Sequence, residues 1–188
     1  SHYILRAISR PLDLLPSLAS HDLRRPLYPV LGKTLFMSIR PAKTSDFLDI
    51  ARLDREAWSE NRNSEYIPDG EHAWRLWMEH ALVYCAWDGT RLTGAVLAFP
   101  TTTHGLYCLH KVFVDRDYRG KGLGSQLFEA VLKACDEQNL ACFLTVDPVN
   151  EGAIGLYQKW GFKDRKFVKG YYRPEEDRLV LTRHCRKE

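Results

Sequence analysis

The hydrophobic and polar positions recur with two periods along the chain, and these periods predict an ordered series of strands and helices. Short apolar runs indicate strands, and apolar residues three or four positions apart indicate amphipathic helices. Strands are expected at 36–40, 82–87, 91–99, 105–114, 141–146, 162–168 and 178–183, and helices at 44–58, 71–81, about 120–135 and 151–160. This order predicts an α/β protein with a mixed central sheet and helices on both faces.

Local signals refine this outline. Asp88-Gly89 between two apolar runs is typical of a hairpin turn, and Thr44 or Ser45 is the predicted N-cap of the first helix. Strict alternation along the strand at 105–114 places His110 on the same face as Val112 and Val114.

The first part of the chain differs from the rest. Residues 1–35 hold four prolines and no sustained periodicity, so we expect an irregular arm or one that packs on the domain. The domain itself is predicted to occupy residues 36–188.

Composition narrows the classes of protein. The chain has 188 residues, of which 45% are hydrophobic and 27% charged, as in an ordinary globular domain. The net charge of +3 is too small to indicate a nucleic-acid partner, and no apolar run is long enough to predict a membrane span. Five widely spaced cysteines, an odd number, favour reduced thiols in a cytoplasmic protein. The oligomeric state, including a homodimer, stays open.

Three glycines stand where the third helix should begin, at Gly120, Gly122 and Gly124. Glycine destabilises a helix by about 1 kcal/mol per position against alanine, so another requirement must select it. The first amides of a helix lack partners and carry the positive end of the dipole, and glycine lets an anion approach them closely. Arg119 and Lys121 add positive charge, and the loop therefore predicts a phosphate site.

Two common phosphate loops fit poorly. A dinucleotide loop needs the spacing G-x-G-x-x-G, and a Walker loop needs Ser or Thr after its lysine. Here the glycines follow G-x-G-x-G, and Lys121 precedes Gly122.

The pattern Arg119-x-x-Gly122-x-Gly124 instead resembles the GNAT superfamily of N-acetyltransferases, which hold the pyrophosphate of acetyl-CoA on such a loop. Asn150, Tyr157 and the pair Gly161-Phe162 also stand as in the next block of that family. The resemblance covers residues 36–183 and implies the GNAT fold, with acetyl-CoA as cosubstrate.

The resemblance also implies roles for individual residues. The acetyl carbonyl and the pantetheine arm would be bound by the main-chain amides of Val112, Phe113 and Val114. The pyrophosphate would be bound by the main-chain amides of Arg119, Gly120, Lys121, Gly122, Leu123 and Gly124. Asn150 would contact the CoA arm. Tyr157 would donate a proton to the leaving thiolate, since its reference pKa of about 10 exceeds that of a thiol.

His110 is the candidate base, at a position where arylalkylamine-type members carry a catalytic histidine. An imidazole relays protons well near neutral pH. The alternative is a histidine whose ring nitrogens are hydrogen-bonded within the sheet and which has no catalytic role. Another family pattern puts a base glutamate earlier on this strand, where Cys108 stands.

The acceptor amine is indicated by the tail. Tyr171 and Tyr172 resemble the tyrosine pair with which ribosomal-protein and N-terminal acetyltransferases grip a peptide, although Thr145 occupies the slot of the bacterial enzymes' base glutamate. The predicted function is direct acetyl transfer to the α-amine of a peptide or protein or to a small primary amine.

Two alternatives remain. A polyamine or aminoglycoside acetyltransferase would need an acidic groove, to which Asp54, Glu56, Glu60 and Glu65 could contribute. A catalytically silent acetyl-CoA sensor belongs to another class. The aromatic segment 58–78 would border the acceptor, although helical spacing favours core packing for Trp74, Trp77 and Met78.

Metal and serine-hydrolase chemistry are not expected. His72 and His80 are too far apart for a zinc motif such as H-E-x-x-H, and the chain has no G-x-S-x-G sequence.

Overall fold

The computed structural model describes residues 37–59 and 68–185 of the chain. The predicted arm at 1–35 lies outside these residues, and so do Glu60, Glu65 and Tyr66. The described part of the chain forms one seven-stranded sheet with four α-helices.

The elements follow the predicted order. The strands are Met37–Pro41 (β1), Leu82–Asp88 (β2), Arg91–Pro100 (β3), Leu106–Val114 (β4), Ala141–Val146 (β5), Asp164–Val168 (β6) and Arg178–Arg183 (β7). The helices are Phe47–Ser59 (α1), Glu71–His80 (α2), Leu123–Glu137 (α3) and Glu151–Lys159 (α4). Short 3₁₀ turns at Thr44–Asp46 and Arg116–Tyr118 precede α1 and α3.

The sheet is mixed, with the strand order β1-β2-β3-β4-β5-β7-β6. Only β4 and β5 pair in parallel, and every other neighbouring pair of these strands is antiparallel. Phe128 of α3 and Tyr157 of α4 pack in one hydrophobic core, whereas Ile50 of α1 and Trp74 of α2 pack in another. Helices therefore cover both faces of the sheet, as the sequence predicts.

The start of the first helix differs from the prediction. Lys43, rather than Thr44 or Ser45, is the N-cap of the 3₁₀ turn that leads into α1. Its N–H group donates to Asp46 Oδ2 at 2.7 Å, and Arg40 donates to the same carboxylate at 2.7 Å. The buried carboxylate of Asp46 satisfies both donors, so the hydroxyl of a cap residue is not needed.

The third helix begins later than predicted. Gly122 is its N-cap, and both Gly120 (φ +74°) and Gly122 (φ +78°) adopt the left-handed backbone region that favours glycine. Only Gly124 lies inside α3, at a buried position. Most of the expected conflict with helix propensity therefore disappears, because two of the three glycines shape the loop.

A gap opens in the middle of the sheet. β4 and β5 pair only from Leu106 and Ala141 to Cys108 and Phe143. Beyond this point β4 stays paired with β3, and β5 stays paired with β7. The C-terminal halves of β4 and β5 therefore part, and main-chain groups of β4 face the gap.

Candidate active site

The gap between β4 and β5 is lined by alternate main-chain groups of β4. The N–H group of Asp115 donates to Thr93 O of β3 at 2.8 Å. Because antiparallel partners alternate, Phe113 also directs its N–H group at β3, and Val112 and Val114 direct theirs into the gap. Val112 and Val114 thus fit the predicted donor role, but Phe113 does not, because its main-chain groups belong to the β3–β4 ladder.

The glycine loop leaves open space before the first turn of α3. A Cβ atom built on Gly122 would meet no atom within 4 Å, and no side chain caps the helix there. The first amides of α3, including those of Leu123 and Gly124, precede the first main-chain bond of the helix, from Gln126 N to Gly122 O. With the positive end of the helix dipole behind them, these amides can hold an anion.

The two cationic side chains of the loop fasten it to its surroundings. Arg119 Nε donates to Val114 O at 2.9 Å, a carbonyl that points away from β3. Lys121 Nζ donates to Asp117 O at 2.8 Å and lies 5.1 Å from the ring centroid of Tyr118. Arg119 thus ties the loop to the end of β4 and Lys121 ties it to the 3₁₀ turn at Arg116–Tyr118, and both bring positive charge to the phosphate site.

Asn150 begins α4, because its Oδ1 atom accepts a hydrogen bond from Ala153 N at 3.1 Å. The structure thus gives Asn150 a capping role. Its predicted contact with the CoA arm remains a prediction.

Tyr157 projects from α4 into the core that it shares with Phe128 of α3. Its side chain is fully buried among aromatic rings, with ring centroids 6.0 Å from Phe128 and 6.1 Å from Phe162. The hydroxyl has no hydrogen-bond partner among the described residues. Burial raises the pKa of Tyr157 above its ordinary value, so the phenol keeps its proton at neutral pH. A buried donor without an acceptor suits a site that receives a thiolate from outside the chain.

His110 lies on a different face from the one that alternation predicts. Lys111 pairs with Leu97 and Leu109 pairs with Ala98, so His110 is an extra residue in a β-bulge. Its ring contacts Trp77 and Phe99, with centroids 5.8 Å and 5.4 Å away. His110 therefore faces α2, whereas Val112 and Val114 pack in the core beneath α3.

Sequence reasoning missed a buried charge cluster next to His110. Lys111 is 2% exposed and pairs with Asp54, which is fully buried, and with Asp69. Asp69 Oδ2 lies 3.5 Å from His110 Nε2. The signal was present in the sequence, since Asp54 stands on the apolar side of its helix and Lys111 inside an apolar strand.

The Tyr171-Tyr172 pair is joined to β5 two residues beyond the point where β4 and β5 part. Tyr172 Oη is hydrogen-bonded to Thr145 Oγ1 of β5 at 2.9 Å. Burial, the neighbouring Tyr172 and the Cys108 thiol of β4 together raise the pKa of Tyr171. The two rings meet edge to face, with their centroids 4.7 Å apart.

The acids proposed for a cationic groove do not form one within the described residues. Asp54 is buried against Lys111, and Glu56 bonds Arg52 at 2.9 Å on the surface of α1. Trp74 is fully buried, which confirms its predicted role in the core. All five cysteines fall within the described ranges and are free thiols.

Two features are absent from residues 37–59 and 68–185. No group of three or more His, Cys, Asp or Glu side chains could hold a metal ion. No helix combines the length and the apolar character that crossing a membrane requires.

The comparisons with known proteins agree with this geometry. The model of the Acetyltransferase (GNAT) family matches residues 47–162, more than half of the chain. The chain therefore belongs to the GNAT acetyltransferase family, and the predicted family and enzyme class are confirmed at that level.

Relatives and solved structures point in the same direction. An N-alpha-acetyltransferase of Sulfurisphaera tokodaii is 28% identical over 161 residues, covering 77% of this chain and 90% of the relative. One from Saccharolobus solfataricus is 38% identical over 74 residues, covering 38% of this chain and 44% of the relative. For two of the curated relatives, the chain spans less than half of their length.

The fold also matches a crystal structure of the ribosomal-protein-S18-alanine N-acetyltransferase from Escherichia coli. The TM-score is 0.65 at 20% identity, over 81% of this chain and 96% of that chain. At this identity the match shows the fold alone, and it confirms the predicted GNAT α/β fold.

Proposed function

We propose that this chain transfers the acetyl group of acetyl-CoA directly to the α-amine of a peptide or protein. The proposal rests on one observation: Tyr172 of the tyrosine pair is hydrogen-bonded to Thr145 of β5, two residues beyond the last residue of β5 that pairs with β4. An acceptor held by these rings would lie at the mouth of the gap that exposes the Val112 and Val114 amides. The N-alpha-acetyltransferase relatives favour the same acceptor.

The residues of the gap fit acetyl-CoA, the acyl donor that the family uses. The amides from Arg119 to Gly124 would hold its pyrophosphate, and the Val112 and Val114 N–H groups would face its acyl carbonyl and pantetheine arm. The bound cosubstrate would supply an activated acyl group as a thioester. Tyr157, protonated and without a partner among the described residues, would donate its proton to the leaving sulfur.

The choice of an α-amine follows from acid–base chemistry. An α-amine with a pKa of about 7.7–8.0 is partly neutral at pH 7.4, whereas a lysine amine near 10.4 is only about one part in a thousand neutral. Thr145 stands where the bacterial enzymes carry a base glutamate, and its hydroxyl is bonded to Tyr172. We therefore assign proton removal to His110, a single imidazole that suits the more easily deprotonated amine.

An acceptor screen that follows release of the CoA thiol tests this function. One peptide carries a free N-terminus and no lysine, and its matched control carries a blocked N-terminus and one lysine. Polyamines, aminoglycosides and free amino acids complete the screen. We expect turnover with the first peptide and little with the second.

Other outcomes would replace the proposal. Turnover confined to polyamines or aminoglycosides would favour that class of acceptor. Calorimetric binding of acetyl-CoA with no turnover on any amine would instead favour a silent sensor module.

A further inference from the structure

We propose that Asp69 is a positioning residue for His110, and that the buried pair of Lys111 and Asp54 holds Asp69 in place. This inference rests on the proposed function, in which His110 removes a proton from the acceptor amine. It assigns a role in the reaction to a cluster of buried charges beside His110.

The contact between Asp69 and His110 selects one tautomer of the imidazole. With Asp69 Oδ2 at 3.5 Å from Nε2, the carboxylate favours a proton on that nitrogen. Nδ1 then keeps its lone pair. It can take one proton from the acceptor ammonium, breaking an N–H bond of the amine and forming the Nδ1–H bond.

Aromatic neighbours fix the plane of the ring. Trp77 meets it at an interplanar angle of 65° and Phe99 at 63°. The side chain of His110 is 37% exposed, so an acceptor can reach the ring. The imidazole is thus held on three sides by Asp69, Trp77 and Phe99.

Charged groups from three segments of the chain meet beside the His110 ring. Asp54 and Asp69 carry two negative charges, and Lys111 supplies one positive charge between them. Among the residues that the structure describes, these charged groups are Asp69 from the segment before α2, Lys111 from the strand of His110 itself, and Asp54 from α1 behind Lys111. When His110 accepts the proton of the amine, the neighbouring carboxylate of Asp69 stabilises the positive charge that forms on the ring.

Asp54 anchors the cluster to the backbone. Its Oδ2 atom accepts hydrogen bonds from the main-chain N of Asp69 at 3.0 Å, from Trp74 Nε1 at 3.0 Å and from Lys111 Nζ at 3.2 Å. The main chain of Asp69 is therefore fixed just before Gly70, the N-cap of α2. Partial burial alone would raise the pKa of Asp69. The nearby His110 ring and the charge of Lys111 outweigh burial and lower that pKa, so the carboxylate is ionised at neutral pH.

The test compares Asp69→Asn with Asp164→Asn. Asp164 pairs with His184 at 2.7 Å on the exposed edge of the sheet, and it offers a matched aspartate–histidine pair away from the gap. The first readout is the pH profile of kcat/KM with acetyl-CoA and the free N-terminal peptide. We expect Asp69→Asn to lower kcat/KM by roughly tenfold to hundredfold near neutral pH and to move the acidic limb of the profile to lower pH. Asp164→Asn should leave both unchanged.

The second readout does not depend on turnover. ¹⁵N chemical shifts of the His110 ring, assigned with His110→Gln, report which nitrogen carries the proton in the full chain. We expect the Nε2–H form in the wild-type protein and a loss of this preference in Asp69→Asn.

An unchanged tautomer together with an unchanged acidic limb in Asp69→Asn would overturn the proposal. If no amine is acetylated, the proposed function fails, and the ring shifts alone decide whether Asp69 orients His110. If Asp69→Asn does not fold, the ¹⁵N shifts of the His110 ring in the wild-type protein decide the question. A proton found on Nδ1 of that ring overturns the inference.

Discussion

At the scale of single residues, the contributions of the Tyr157 hydroxyl and of its ring can be measured separately, because the two groups affect different properties. The ring fills the core, whereas the hydroxyl is buried with no partner among the described residues. We expect Tyr157→Phe to lower kcat by about tenfold to hundredfold and to leave acetyl-CoA affinity nearly unchanged. The unfolding free energy should stay equal or rise slightly, because the substitution removes an unsatisfied polar atom.

Tyr118 offers the matched comparison for stability. Its hydroxyl donates to Asp88 Oδ2 at 2.7 Å, so Tyr118→Phe should lower the unfolding free energy by about 1 kcal/mol. Urea denaturation measures both variants. A Tyr157→Phe protein that turns over at the wild-type rate would remove this hydroxyl from the role of acid.

At the scale of elements, the loop before α3 can be tested through its backbone shape. Gly122→Ala places a side chain at φ +78°, which should destabilise the fold by about 1 kcal/mol and weaken acetyl-CoA binding by tenfold or more. Gly105 has nearly the same angle, φ +77°, and also has open space around it. Gly105→Ala should therefore show the same loss of stability with unchanged binding, as measured by calorimetry. Equal binding by both variants would contradict the phosphate role of the loop.

The elements also show which features the sequence predicts and which it hides. The left-handed glycines of the loop before α3 agree with a local signal at a helix start, whereas the role of Tyr157 was inferred from the resemblance to the GNAT family and stays a prediction. The face of His110 was predicted wrongly, because a bulge adds one residue to β4 and shifts the alternation. The pair of Asp54 and Lys111 was missed, because its members are 57 positions apart and only the packing of α1 on the sheet joins them.

At the scale of the whole molecule, two cores share one sheet, and the order of elements was sufficient to predict this layering. Arg183 of β7 is 3% exposed and donates to Asp136 of α3 at 2.8 Å and to Trp160 O at 3.0 Å. No local pattern indicates such a contact, because it joins three segments that are distant in the chain. Burial of charge at these junctions makes the stability of the fold depend on pH.

The carboxylate of Asp46 determines the direction of one contribution to the pH dependence of stability. Burial raises its pKa, but hydrogen bonds from Arg40 and the Lys43 N–H group outweigh burial and leave the pKa below its ordinary value. The carboxylate therefore stabilises the fold above about pH 4, the unfolded value, and this contribution is lost as pH falls through the folded pKa.

We expect Asp46→Asn to lower the unfolding free energy by roughly 1–2 kcal/mol at pH 7, with the difference shrinking on acidification. Urea denaturation between pH 3 and pH 7 measures this effect. Asp49→Asn, at an exposed position on α1, should change stability by less than about 0.5 kcal/mol throughout. A difference for Asp46→Asn that stays constant with pH would show that its charge is not the cause.

The N–H groups of Val112 and Val114 both point into the gap, and this shared direction has one more consequence. Two residues along a strand span about 7 Å, more than twice the length of a hydrogen bond, so one oxygen cannot accept from both N–H groups. A ligand that uses both donors must be a slender, extended molecule that carries two acceptors at that spacing. The gap in the sheet therefore selects its ligand by the distance between the ligand's polar atoms.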